Sequence, residues 1–264
     1  MYHTHWGLKT SPFGNEVRTA AAHPGGDEAL ARLLYLLDQQ GRVGLLLGAP
    51  GTGKTELLRR FQQTSRRNGL AAALIGGIGC DERSFEQQLL RDWQLPPLNE
   101  GGRGQIWERL TDRLLELRYE QSAAVVALDD AEKAPAAVRG QLERLLHLAG
   151  SVQTPLTVVL ASSVEGAGKI GPLLEQVELR IDLAPWTEEE MAEQVALRLF
   201  HCGSEHPIFT DDAITVLHEL SGGIPRKVEQ LAQLALLVGA GQQLTEIDAT
   251  TLAEAYQELG TGGL

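Results

Sequence analysis

Two cysteines in 264 residues, Cys80 and Cys202, are too few for a disulfide framework, and they read as small buried hydrophobes of a reducing compartment. Long apolar runs are missing as well: nothing approaches the roughly 18–20 residues needed to cross a bilayer. The opening MYHTHWGLKTSPF lacks the basic and then apolar order of a secretory leader. These absences make a cytoplasmic location the expectation. There is no internal repeat, no low-complexity tract beyond the closing GTGGL, and no Ser/His/Asp or Cys/His nucleophile arrangement. His201, Cys202 and His206 superficially match metal spacing, but three candidate ligands without a fourth make a poor zinc site. His3 and His5 read as part of a flexible terminus.

Positive charge is scarce toward the C-terminus. Residues 185–264 carry 3 basic side chains (Arg198, Arg226, Lys227) against 13 acidic ones, which leaves only −2 of the net −12 to the first 184. An acidic C-terminal part repels phosphate backbones, so any contact with nucleic acid falls to the front portion. One basic cluster exists there, Arg59, Arg60, Arg66 and Arg67, whose spacing of seven gives them one helix face. It suits a solvated face or a subunit contact better than a nucleic-acid surface.

The 43% hydrophobic content is that of a globular chain. Leu30, Leu33, Leu34 and Leu37 follow the i, i+3, i+4, i+7 spacing of an amphipathic helix. VGLLLG (43–48) predicts a buried strand, followed by a Gly-rich turn and a helix over about 54–67. AAALIG (71–76), AAVVAL (123–128), LTVVLA (156–161) and VELRIDL (177–183) predict four more strands. Between the second and third of the five lie two helical segments divided by the breaker QLPPLNEGG, with Trp107, Leu110, Leu114 and Leu117 marking the later one. Near-uncharged strands alternating with helices imply parallel βαβ units covered on both faces. After Pro185 every segment reads helical: TEEEMAEQVALRLF with its Thr cap and acidic first turn, then 211–220, 225–238 and 249–259. The expected organisation is an α/β core over 1–184 and a small helical domain over 185–264.

The stretch Gly48-Ala49-Pro50-Gly51-Thr52-Gly53-Lys54-Thr55 matches GxxxxGK[ST], between a buried strand and a helix as its mechanism requires. Glycines let successive N–H groups turn inward around a phosphate, and the helix N-terminus adds positive potential. Gly48, Pro50, Gly51, Thr52, Gly53, Lys54, Thr55 and Glu56 are therefore expected to bind nucleotide, with Lys54 on the terminal phosphates and Thr55 on Mg²⁺. In such proteins a second strand ends in a carboxylate that holds the metal. Asp129, closing AAVVAL, is in place for that. Asp130 is the candidate to polarise the attacking water, the alternative being a helix-capping role ahead of Pro135.

Together the phosphate loop, the DDAE carboxylates (129–132) and the helical C-terminal part resemble AAA+ ATPases. Within these the chain is similar to the ATPase domain of the general secretion pathway protein A (ExeA-like) family. Trp6-Gly7-Leu8 and Pro12-Phe13 match that family's opening, EALARLLYLL (28–37) its first helix, and LSGGIPRKVEQL (220–231) its lid motif. The resemblance implies a P-loop NTPase (AAA+) fold with a five-stranded parallel sheet and a helical lid. It implies ATP and Mg²⁺ as cofactors, nucleotide-dependent homo-oligomers, and an unidentified protein partner. By the same resemblance Ser162 or Ser163 orients the attacking water, Arg226 reaches the γ-phosphate from the lid, and Trp6–Phe13 pack near the adenine or, alternatively, serve as plain core. Three positions depart from the family: Asp130 stands where Glu is usual, a serine where a polar amide is usual, and Gln176 near where an arginine acts on the neighbouring subunit, the nearest arginine being Arg180 within a strand. Binding is expected to be secure and fast hydrolysis not. An ATP-driven assembly factor, a nucleotide-gated switch and a DNA-associated regulator of transposition type all stay open, in that order. Family members continue beyond the lid into a membrane span, whereas this sequence stops at Leu264, so a stand-alone ATPase without that anchor is expected.

Overall fold

The structure, a computed structural model, describes residues 2–13, 24–96 and 103–261. Most of the breaker QLPPLNEGG and the last three residues of GTGGL lie outside the described residues. By contacts the chain divides into two compact units, Glu28–Leu183 and Met1–Asp27 with Ala184–Leu264. The opening segment thus groups with the helical unit and not, as the sequence reading has it, with the α/β core. No helix among the described residues is long and apolar enough to cross a membrane.

In the first unit five parallel strands lie in the order β2-β3-β4-β1-β5, with β1 Val43–Leu47, β2 Ala71–Gly76, β3 Ala124–Asp129, β4 Leu156–Ser162 and β5 Leu179–Asp182. Side chains alternate across a strand, so each strand feeds two cores. Val43, Leu45, Val126, Leu128, Val158 and Leu160 pack on one face with the helices α4 (Glu82–Asp92), α5 (Arg103–Tyr119) and α6 (Ala136–Ser151). Leu46, Val125, Ala127, Val159 and Ile181 face the other way, onto α2 (Pro24–Asp38) and α3 (Lys54–Arg67). The helix α3 presents Leu57, Leu58 and Phe61 inward and stops where Gly69 adopts a left-handed φ of 80°. Phe61 is fully buried, and truncating such a ring costs about 3–5 kcal/mol. The fifth strand is shorter than VELRIDL promises, because 3-10 turns over Ala167–Gln176 run up to Val177 and only four residues pair with β1.

The second unit is helical: α7 Glu188–His201, α8 Asp211–Ser221, α9 Pro225–Gly241 and α10 Ala249–Thr261, joined by the short N-terminal α1 (Tyr2–His5). Trp6, Leu8 and Phe13 are buried in its core beside Trp186, Met191, Leu217 and Leu236. The Trp6 indole donates to the Leu236 carbonyl at 2.8 Å. Cys202 is buried in the same core, and its sulfur accepts a hydrogen bond from Thr10 Oγ1 at 3.4 Å. In SGGIP the second glycine has φ 66°, and a Cβ there would lie 2.1 Å from the Trp186 carbonyl oxygen. Only glycine fits, and the Trp186 N–H in turn donates to the Gly223 carbonyl at 2.8 Å.

Candidate nucleotide-binding site

Strand order brings three chain ends together. β4 lies between β3 and β1, with Leu47 opposite Ser162 and Leu128 opposite Leu160. Ligands of open α/β sheets bind in the crevice beyond such carboxyl ends. The loop leaving β1 starts at Gly48, whose N–H donates to the Ser162 carbonyl at 3.3 Å. A Cβ on Gly48 would sit 2.6 Å from Thr52 Oγ1 and 2.9 Å from the Leu183 carbonyl oxygen, so the turn closes only around a glycine. Thr52 is buried and donates to the Ala49 carbonyl at 2.9 Å. Gly53, at φ 100°, caps α3 without a side-chain acceptor, which leaves the first-turn N–H groups to an anion.

Lys54 folds back over the loop, donating to the carbonyls of Gly48 at 2.7 Å and Ala49 at 3.1 Å. Burial pushes its ammonium below the ordinary lysine value, against the opposing pull of Asp129, Glu132 and Asp130. Thr55 Oγ1 donates to Asp129 Oδ2 at 2.5 Å. A hydroxyl and a buried carboxylate that already face each other are hard oxygen donors of the kind Mg²⁺ takes, the remaining positions being filled by water and phosphate. The residues present therefore fit Mg²⁺ at Thr55 and Asp129. Glu56 points its carboxylate at Arg59, 3.3 Å away on the helix surface.

The turn after β3 departs from expectation. Asp130 has a left-handed φ of 49°, and its carboxylate is held by Lys133 Nζ at 2.8 Å. Glu132, two residues on, accepts the Ser163 N–H on Oε1 at 3.1 Å. Burial pushes its carboxyl up, yet the Ser163 N–H and its own backbone outweigh that and hold it below the ordinary glutamate value. Ser162 is wholly buried at the end of β4, with its hydroxyl donating to the Ser163 carbonyl at 2.9 Å. The sequence reading assigns Glu132 no role of its own; the Asp-Asp-Ala-Glu spacing is the signal that points to it.

The structure brings Gly48–Thr55, Asp129, Asp130, Glu132 and Ser162 to one edge of the sheet. Arg226 belongs to the helical unit, exposed in the first turn of α9 behind Pro225. Gln176 closes the 3-10 segment, and Arg180 is engaged by Asp182 at 2.9 Å on the edge strand. The α3 arginines are partly neutralised: Arg59 pairs with Glu56, and Arg66 lies 3.2 Å from Asp92.

Residues 37–166 match the family described as AAA domain. General secretion pathway protein A of Aeromonas hydrophila is 32% identical over 246 residues, covering 90% of this chain and 44% of that protein. The chain thus spans less than half the length of that relative. Among solved structures, Cdc6p from Pyrobaculum aerophilum has a TM-score of 0.70 at 18% identity, over 94% of this chain and 70% of that one. Drosophila ORC bound to DNA follows at 0.65 and 19% identity, over 92% and 64%, and the Thermotoga maritima RuvB Holliday junction branch migration motor at 0.57 and 18%, over 93% and 70%. At such identities the structural likeness speaks for the fold alone. Since the AAA match takes in both the phosphate loop and the β3 carboxylate, and the secretion-pathway relative aligns over 90% of the residues, the chain contains an AAA domain and resembles general secretion pathway protein A.

Proposed function

We propose that this chain binds ATP with Mg²⁺ at the Gly48–Thr55 loop, hydrolyses it, and couples the nucleotide state to lid motion and to assembly of its own copies. The observation that carries this reading is the 2.5 Å contact between Thr55 Oγ1 and Asp129 Oδ2 at the mouth of a formed phosphate loop. Lys54 would exchange its two loop carbonyls for the β- and γ-phosphate oxygens, while Thr55 and Asp129 would hold the metal that neutralises the developing charge. A carboxylate of the Asp129–Glu132 turn, Asp130 by the sequence reading, would polarise the attacking water, and Ser162 would orient it. Arg226, exposed at the start of α9, would read the γ-phosphate from the lid. The secretion-pathway relative favours work in a secretion or other envelope assembly, through a protein partner.

A nucleotide-gated switch with slow turnover is the second reading, favoured by the Lys133 contact that occupies Asp130. Regulation on DNA has weaker support, since Glu56 and Asp92 engage arginines of the basic α3 face. The deciding experiment is phosphate release per subunit with ATP and Mg²⁺ over a wide range of protein concentration, with Lys54→Ala as the blank. A rate that climbs with concentration supports an active site completed between subunits. Tight ATP binding with no release above the blank leaves the switch.

A further inference from the structure

The expected water-polarising residue and the observed geometry part company at the β3 turn. The Asp130 carboxylate is turned toward Lys133, whose side chain is half exposed, and the two make an i, i+3 ion pair at 2.8 Å. Its N–H is folded back on Asp129 Oδ1 at 3.1 Å, and its backbone is fixed in the left-handed region.

Glu132 is placed differently. The Ala131 N–H donates to the Ala161 carbonyl at 2.8 Å, which docks the turn onto the end of β4. The Glu132 stem then packs against Gly166, where a Cβ would come within 2.5 Å of Glu132 Cγ. Oε1 is occupied by the Ser163 N–H, whereas Oε2 is buried and has no hydrogen-bond partner among the described residues. A buried carboxylate oxygen without a donor is costly and calls for an explanation. From Ser163 the path to the phosphate loop is short: Ser162 precedes it, and the Ser162 carbonyl accepts the Gly48 N–H.

We infer that Glu132, rather than Asp130, is the carboxylate that activates water for attack on the γ-phosphate, with the donor-less Oε2 as the atom that accepts the water's proton. The inference rests on the hydrolysis reading above. In the step, the water oxygen forms a bond to the γ-phosphorus as Oε2 takes one of its protons. The bond from γ-phosphorus to the β–γ bridging oxygen breaks, and its electron pair leaves with ADP. The proton on Glu132 then passes to solvent with the release of inorganic phosphate.

Two variants separate the possibilities: Glu132→Gln, which keeps an oxygen for the Ser163 N–H but removes the base, and Asp130→Asn. Both are assayed for phosphate release, for affinity toward a fluorescent ATP analogue, and for the identity of bound nucleotide after acid quench. Glu132→Gln is expected to lose about 100-fold or more in turnover, within the range of a positioned base, to keep its affinity within about threefold, and to retain ATP where the parent retains ADP. Asp130→Asn is expected to lose less than about tenfold. The inference is overturned if Asp130→Asn loses as much as Glu132→Gln, or if Glu132→Gln still turns over normally. If Glu132→Gln does not fold, a near-complete loss in Asp130→Asn alone still refutes it and near-normal turnover supports it. A parent protein no faster than Lys54→Ala removes hydrolysis itself, and this inference with it.

Discussion

Individual residues of the phosphate loop are constrained by space more than by chemistry. Any side chain on Gly48 would collide with Thr52 and with the Leu183 backbone. Gly48→Ala is therefore expected to weaken ATP binding by about tenfold or more, since each tenfold step is only about 1.4 kcal/mol and a shifted loop misaligns several N–H donors at once. A fluorescent-nucleotide titration checks it. Thr55→Ala should behave otherwise: it removes a metal ligand and leaves the N–H cradle. Its affinity should fall in Mg²⁺ and match the parent in excess chelator, and equal losses under both conditions would remove Thr55 from the metal. At this scale the loop and Asp129 were legible, because a strand-turn-helix pattern fixes their surroundings. The placement of the Asp130 and Glu132 carboxylates was not, since it depends on a left-handed backbone at residue 130 and on a lysine three residues on.

Elements depend on their ends. α7 begins with a complete capping box: Thr187 Oγ1 accepts the Glu190 N–H at 3.2 Å, and Glu190 accepts the Thr187 N–H at 2.9 Å. Thr187→Ala should cost about 1 kcal/mol, read as a lower denaturant midpoint at unchanged slope. That cap was legible in TEEE, since a hydroxyl followed three residues later by Glu is a local signal. The 3-10 turns before β5 and the lone bridge between Phe209 and Ile247 were not, because the first needs Gly171 at φ 80° and the second pairs residues far apart in sequence. α10 is begun by Asp248, whose carboxyl is held below its ordinary value chiefly by the Thr251 N–H, with the Thr251 hydroxyl adding to it. A depressed carboxylate contributes stability that is present above its unfolded value and is lost as pH falls through the folded one. Acid should therefore loosen α10, and Asp248→Asn, which keeps an oxygen acceptor, should flatten that dependence. Hydrogen exchange of the α10 amides between pH 3 and 6 measures both.

Across the whole molecule, the sequence showed where the α/β pattern gives way to helices but not where the first residues go. Periodicity carries no information on a contact such as Trp6 to Leu236, which joins positions 230 apart. What results is two compact units, each with its own apolar core, one carrying the phosphate loop and the other carrying Arg226. A ligand stabilises whatever it binds, by about 2.7 kcal/mol at a hundredfold excess over Kd. Hydrogen exchange resolved by segment, with and without ATP and Mg²⁺, follows that stabilisation through the chain. Slower exchange in the loop and first turns of α3 is expected from binding alone. Coupling to the lid demands more: the first turn of α9 must slow as well, and Arg226→Ala must abolish that change while the α3 protection persists. Protection confined to Glu28–Leu183 would mean that the helical unit does not sense the nucleotide, and lid motion would have to be abandoned as the output of nucleotide binding.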